Sequence, residues 1–268
     1  MEDVKFQHIR GPAFAAVSVV RDSGVRKSKF TDIGNYWKTT HLTADRKAAI
    51  VFCCDPTKTS HGNFTVDNIF SDIGLDAISI DYQHDFLASG NTCRLSDGQL
   101  TARWEAPQPT DFPACVYANH GDAITVANNV ISDAQGNGID LVDIADRTIT
   151  GNQVSGAGGA GIGVFKSGSA YIKGNTVKNN SRWRLATFTG GISFNGHLGT
   201  VVLIDNLSTD DQREKTQRYA VMAVKGTVIR DLRIDPSNRF DGNAVGFLGG
   251  ALSPAMTPTE PQRRRPNG

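Results

Sequence analysis

Short apolar runs recur along this chain at a spacing marked by asparagine. The segments ITVANNVISDAQGNGIDLV, RTITGNQVSGAGGAGIGVF and AYIKGNTVKNNSRW superimpose on Asn129, Asn152 and Asn175. Each has an apolar residue three before the asparagine, a small or apolar one two after it, and most lead to an Ile or Val that opens the next run. Adding Asn68, Asn91 and Asn206 gives spacings of 23, 38, 23, 23 and 31 residues. A period in the low twenties, rich in Gly, Asn and β-branched residues, predicts a solenoid of short parallel strands with one coil per repeat.

Alternation along a strand then fixes which side chains face the lumen. Thirteen residues before the ladder stand Ile78, Val116, Ile139 and Ile162, and fourteen before Asn206 stands Ile192. Two further on are Ile80, Ala118, Leu141, Val164 and Phe194, all apolar. The asparagines should form one corner, because Asn tolerates a left-handed backbone and its amide can bond the asparagine of the next coil. Ser28 takes the ladder position at the early end, with Ile50 opening the next strand, and Leu232 fits the register at the late end.

On the runs VDNIFSDIGLDAISI, ANNVISDAQGNGIDL, TGNQVSGAGGAGIGV and KGNTVKNNSRW, residues 4 to 235 resemble the right-handed parallel β-helix proteins of the pectin-lyase-like superfamily. The resemblance implies an all-β fold, a right-handed parallel β-helix, over residues 1–250, with 251–268 a loosely attached or disordered tail. It implies an acidic polysaccharide as partner and a secreted or cell-surface setting. It leaves the activity open, since lyases, hydrolases, uronate epimerases, tailspikes and structural adhesins share this fold. The polygalacturonase Asn-Thr-Asp triplet is absent, and IDYQHD at 80–85 echoes the epimerase signature Tyr-Gly-any-Asp-Pro-His without its proline.

Charge narrows the partners. Twenty-eight basic against 27 acidic residues leave +1, too balanced for nucleic-acid binding driven by counterion release. No run of 18 apolar residues and no charged-then-apolar leader is present, so neither a membrane span nor a signal peptide is expected. MEDVKFQHIRG reads as strand where such solenoids place a capping helix; a homo-oligomer or a preceding segment covering the open end is therefore the expectation. Arg263, Arg264 and Arg265 read as a solvated end. Cys93 and Cys115 fall at buried phases on adjacent coils and read as buried thiols, the favoured pair should any disulfide form, whereas the neighbours Cys53 and Cys54 do not easily bridge.

Function is expected where the repeat is interrupted. From ladder position to opening strand the basic interval is 10 residues, but Ser28 to Ile50 takes 22, Asn91 to Val116 takes 25 and Asn175 to Ile192 takes 17. All three tryptophans lie in these insertions: Trp37, Trp104 and Trp183. Either each ring caps a patch under its own loop, or together they wall a groove in which aromatic faces stack on sugar rings.

The strands that follow expose a polar floor. Counting one, three and four after the opening residue gives Ser79, Asp81 and Tyr82; Tyr117, Asn119 and His120; Asp140, Val142 and Asp143; Gly163, Phe165 and Lys166; Ser193, Asn195 and Gly196. With coils about 4.8 Å apart, His120, Asp143 and Lys166 should stack in one column, beside Tyr117 and Asp140. For β-elimination or C5-epimerisation of a uronic acid, Lys166 or His120 would be the base, Tyr117 a proton donor, and Arg182 or Arg184 a clamp on the carboxylate. Asp81, Trp104, Trp183, Asn195 and His197 would contact substrate. Hydrolysis would instead pair Asp140 with Asp81 or Asp143. Calcium could be held by Asp81, Asp140 and Asp143, although no dense ligand string accompanies them. An ordinary solvated face, in a protein that only binds glycan or serves as a rod, stays open as well.

Overall fold

The computed structural model describes residues 1–9, 11–34, 48–53, 56, 60–74, 76–95, 113–184 and 189–250. Most of the first two insertions, with Trp37 and Trp104, and the tail from 251 lie outside them. Every regular element among the described residues is a strand.

One coil shows the plan. Ile139–Ile144 belongs to sheet I, Asp146–Thr150 to sheet II and Gln153–Ser155 to sheet III, after which the chain enters sheet I again at Ile162–Lys166. Every strand pairs in parallel with its equivalent one coil away, and together the three sheets form a right-handed β-helix. The strand Gly190–Ile204 runs through the corner between sheets I and II without interruption.

The expected lumen phases hold. Phe14, Ile50, Ile78, Val116, Ile139, Ile162, Ile192, Val221 and Leu248 stack in register along sheet I. Sheet III stacks Phe6, Phe30, Phe70, Cys93, Ile131, Val154 and Val177. Its first three rings are nearly parallel, with centroids 4.9 Å apart, so the coil repeat sets aromatic stacking directly. Burying these columns supplies the apolar drive that a single coil, open above and below, cannot provide.

The asparagine ladder runs from Ser28 through Asn206 and continues to Asn238. Each ladder oxygen accepts from the preceding ladder residue's backbone N–H, and from its amide wherever that residue is asparagine; Asn152 Oδ1 takes Asn129 N at 3.0 Å and Nδ2 at 2.9 Å. One detail differs from expectation. The left-handed backbone belongs to the residue before each asparagine from Asn68 to Asn206: Asp67, Asn128 and Asp205 with φ of 54–56°, and glycines 90, 151 and 174 in the other coils. The chain bends at that residue, which frees the asparagine to turn its amide into the corner.

Cys93 and Cys115 are buried, adjacent and free, as their phases lead one to expect, whereas Cys53 is disulfide-bonded. Burial, then the neighbouring Cys93, pushes the Cys115 thiol well above its ordinary range.

Candidate functional site

The corner between sheets I and II forces one residue per coil into a left-handed turn. Tyr82, His120, Asp143 and Lys166 occupy that position with φ of 53, 53, 55 and 69°, and Gly196 takes it in the following coil. Such a conformation costs a non-glycine residue about 1 kcal/mol. His and Asp tolerate it better than most, whereas Tyr and Lys are poor choices on backbone grounds alone.

The corner gathers an acid–base cluster. His120 Nδ1 lies 3.3 Å from Asp81 Oδ1, and Nε2 lies 3.8 Å from Asp143 Oδ2. Tyr82 stacks on the imidazole with ring centroids 4.8 Å apart and planes within 10°. The Ser167 hydroxyl donates to Asp143 Oδ1. Lys166 follows Asp143 at the same turn position, one coil on, and its side chain is exposed. Half-exposed His120, Asp81 and Asp143 are thus reachable from solvent while bound to one another.

A buried cation lies behind this corner. Arg147 occupies a lumen phase between Ile124 and Ala170, is 2% exposed, and donates from NH2 to Phe165 O at 3.0 Å. Burial draws its guanidinium from the ordinary arginine range down to about 10, against the opposing charges of Asp143 and Asp146. Its position is legible in the sequence after all: five residues before the ladder asparagine stand Ile124, Arg147 and Ala170, so a charge interrupts an apolar phase. Tyr82 shares the phase of His120 and could have been chosen on that ground.

Several expected site residues lie elsewhere. Tyr117 and Asp140 are adjacent in register on sheet I, but only 8% and 3% exposed, so they do not form a solvent-facing floor. Phe165 contributes to the cover: a Cβ on Gly163, the register neighbour of Asp140, would stand 2.5 Å from the Phe165 ring. Arg182 and Trp183 sit at the opposite edge of sheet I, where Arg182 NH2 meets Ala134 O at 3.4 Å and Trp183 Nε1 donates to Gln135 O at 2.6 Å. Exposed Arg184 faces Glu214 at 3.8 Å. A strand such as Ile162–Lys166 separates that edge from His120, roughly 13 Å at the usual rise, so neither arginine clamps a group held at the corner. Asn195 is half-buried beside Phe165, and His197 is exposed just past Gly196, paired with Val228. Among the described residues no group of three or more His, Cys, Asp or Glu side chains is arranged to hold a metal, so the three candidate calcium ligands are not gathered.

No curated protein matches this sequence. Among solved structures, the A-module of the mannuronan C-5 epimerase AlgE4 of Azotobacter vinelandii is similar at 10% identity, covering 92% of this chain and 81% of that one, with a TM-score of 0.29. Residues 16–207 match the family described as right handed beta helix region. That span takes in all but one of the ladder positions and the whole His120 corner, and the chain belongs to this family.

Proposed function

We propose that the protein modifies a uronate-containing polysaccharide by removing the proton at C5, leading to β-elimination or C5-epimerisation, with the His120 corner as reactive centre. The observation that carries this reading is the imidazole held between two carboxylates at 3.3 and 3.8 Å and stacked on a phenol. Asp81 accepting Nδ1–H leaves the Nε2 lone pair as the base, and 3.8 Å from Asp143 is too long for a bond that would occupy it. The C5–H bond breaks toward Nε2, and its electron pair passes into the sugar carboxylate as an enolate. The Lys166 ammonium, one coil on, stabilises that charge as it develops. The pair then either expels the C4 oxygen, protonated by Tyr82, or takes a proton from water at C5 on the opposite face.

Paired-carboxylate hydrolysis is less well supported, because Asp140 is buried and Asp81 is hydrogen-bonded to His120. The test is incubation with polygalacturonate, polymannuronate and polyguluronate in D2O. Deuterium entering at C5 reports epimerisation, while ultraviolet absorbance of a C4=C5 unsaturated uronate reports elimination, which leaves no hydrogen at C5. His120→Ala and Lys166→Ala should lower the rate about 100-fold or more with little change in melting temperature. Wild-type protein that binds these polymers with neither C5 exchange nor unsaturated product would make it a binding protein only.

A further inference from the structure

Sheet II carries a depression of about 330 Å³ a few residues past the His120 corner. Thr125, Thr148 and Tyr171 line it as successive rungs of one outward column, and Asp146 and Ser169 flank it on the corner side. Its volume is at the lower end of what ligand pockets have, enough for a sugar unit and too small for a folded partner. The short threonines leave the hollow, and Tyr171, 38% exposed, presents an aromatic face at its edge.

Arg147 contributes to the lining from below. Its Nε and NH1 are buried and find no acceptor in the protein. That side chain faces the lumen, so these donors are turned away from the hollow and the residue serves only as its floor.

We propose that this depression is a second glycan subsite, distinct from the reactive corner, which takes one hydroxyl-rich glycosyl ring. Tyr171 stacks on the apolar C–H face of the ring, and Asp146 with the threonine hydroxyls bonds its hydroxyl groups. A chain crossing the corner reaches both places, since Asp146 lies only three residues past Asp143, roughly 10 Å. The subsite would hold a long glycan in register while the corner works on a neighbouring unit. This inference shares the glycan ligand class with the proposed reaction but not its chemistry.

The experiment is calorimetric titration of wild-type protein, Tyr171→Ala and Asp146→Asn with eight-residue oligogalacturonate, oligomannuronate and cello-oligosaccharide probes. Leu87→Ala, an exposed position of the same column outside the depression, is the control. Loss of the stacking ring should weaken binding about tenfold. Asp146→Asn should also weaken it, and Leu87→Ala should not. Unchanged affinity in both variants, or no binding of any probe by wild-type protein, would overturn the subsite. The outcomes stay separable: binding that depends on Tyr171 with neither C5 exchange nor unsaturated product removes the reaction and keeps the subsite, whereas either product with unchanged affinities does the reverse.

Discussion

Replacing Arg147 with methionine should make the protein more stable. The side chain stands in a lumen column between Ile124 and Ala170, so its environment is apolar on both coil faces. Its depressed guanidinium pKa of about 10 corresponds to a charge-burial cost of roughly 3 kcal/mol. Below that pH the group is charged in folded and unfolded chains alike and the full cost is present. As pH rises through about 10 toward the ordinary arginine range, the folded state releases its proton first, and stability rises. Methionine keeps an unbranched stem and removes the charge with its two unspent donors. It forfeits the bond to Phe165 O, worth about 1.5–3 kcal/mol as a charge-assisted bond, but that carbonyl also accepts Ser167 N at 3.1 Å and is not orphaned. The balance is a gain of about 1–2 kcal/mol, in line with other buried charges exchanged for apolar groups. Arg147→Ala should instead fall below the methionine variant by about 2–5 kcal/mol through cavity formation. Urea unfolding at pH 7 measures both, and repeating wild type against Arg147→Met above pH 10 should show the gap closing. A methionine variant less stable than wild type by more than about 1 kcal/mol would refute the reasoning, because the guanidinium would then be paying its way through partners that satisfy it.

Three further outcomes are expected. Asn152→Ala removes four side-chain hydrogen bonds, to Asn129 N and Nδ2, Val126 O and Asn175 Oδ1, and should cost about 3 kcal/mol or more by denaturant unfolding; a loss below about 1 kcal/mol would show that neighbouring coils repair the ladder. Gly168→Ala should destabilise far more than Gly174→Ala, since both have positive φ but a Cβ at Gly168 would stand 1.9 Å from Ile144 O, while at Gly174 the nearest atom is 4.0 Å away; equal melting temperatures would contradict this. The buried Cys115 thiol, with its raised pKa, should resist alkylation at pH 8 in native protein and react on unfolding, and prompt labelling of the native state would refute the buried assignment.

The fold was legible because it repeats. Ile78, Val116, Ile139, Ile162 and Ile192 are placed by counting from an asparagine, and the parallel register pairs them as counted. What counting could not supply is which residue of a corner carries the left-handed bend: hydrogen-bonding capacity marks Asn129 and Asn152, but the backbone turns at Asn128 and Gly151. Disulfide state was legible in part: their buried phases marked Cys93 and Cys115 as thiols, which they are, but nothing in the spacing marked Cys53 as bonded.

The site was legible only in part, and the reason lies in what periodicity encodes. A period states which side of a sheet a residue faces, and so aligned His120, Asp143 and Lys166; it does not state what packs over that face. Gly163 decides the matter for Asp140. Lacking a side chain, Gly163 leaves room for the Phe165 ring to lie over its own rung beside Asp140, on the face where a flat reading of the sheet puts solvent. A carboxylate with 3% exposure cannot trade protons with a polymer outside, whereas the left-handed corner throws its side chains clear of the sheet. The proposed chemistry is therefore placed at the corner, where His120 and its carboxylates stay open to solvent, and the interior of sheet I is left to hold that corner rigid.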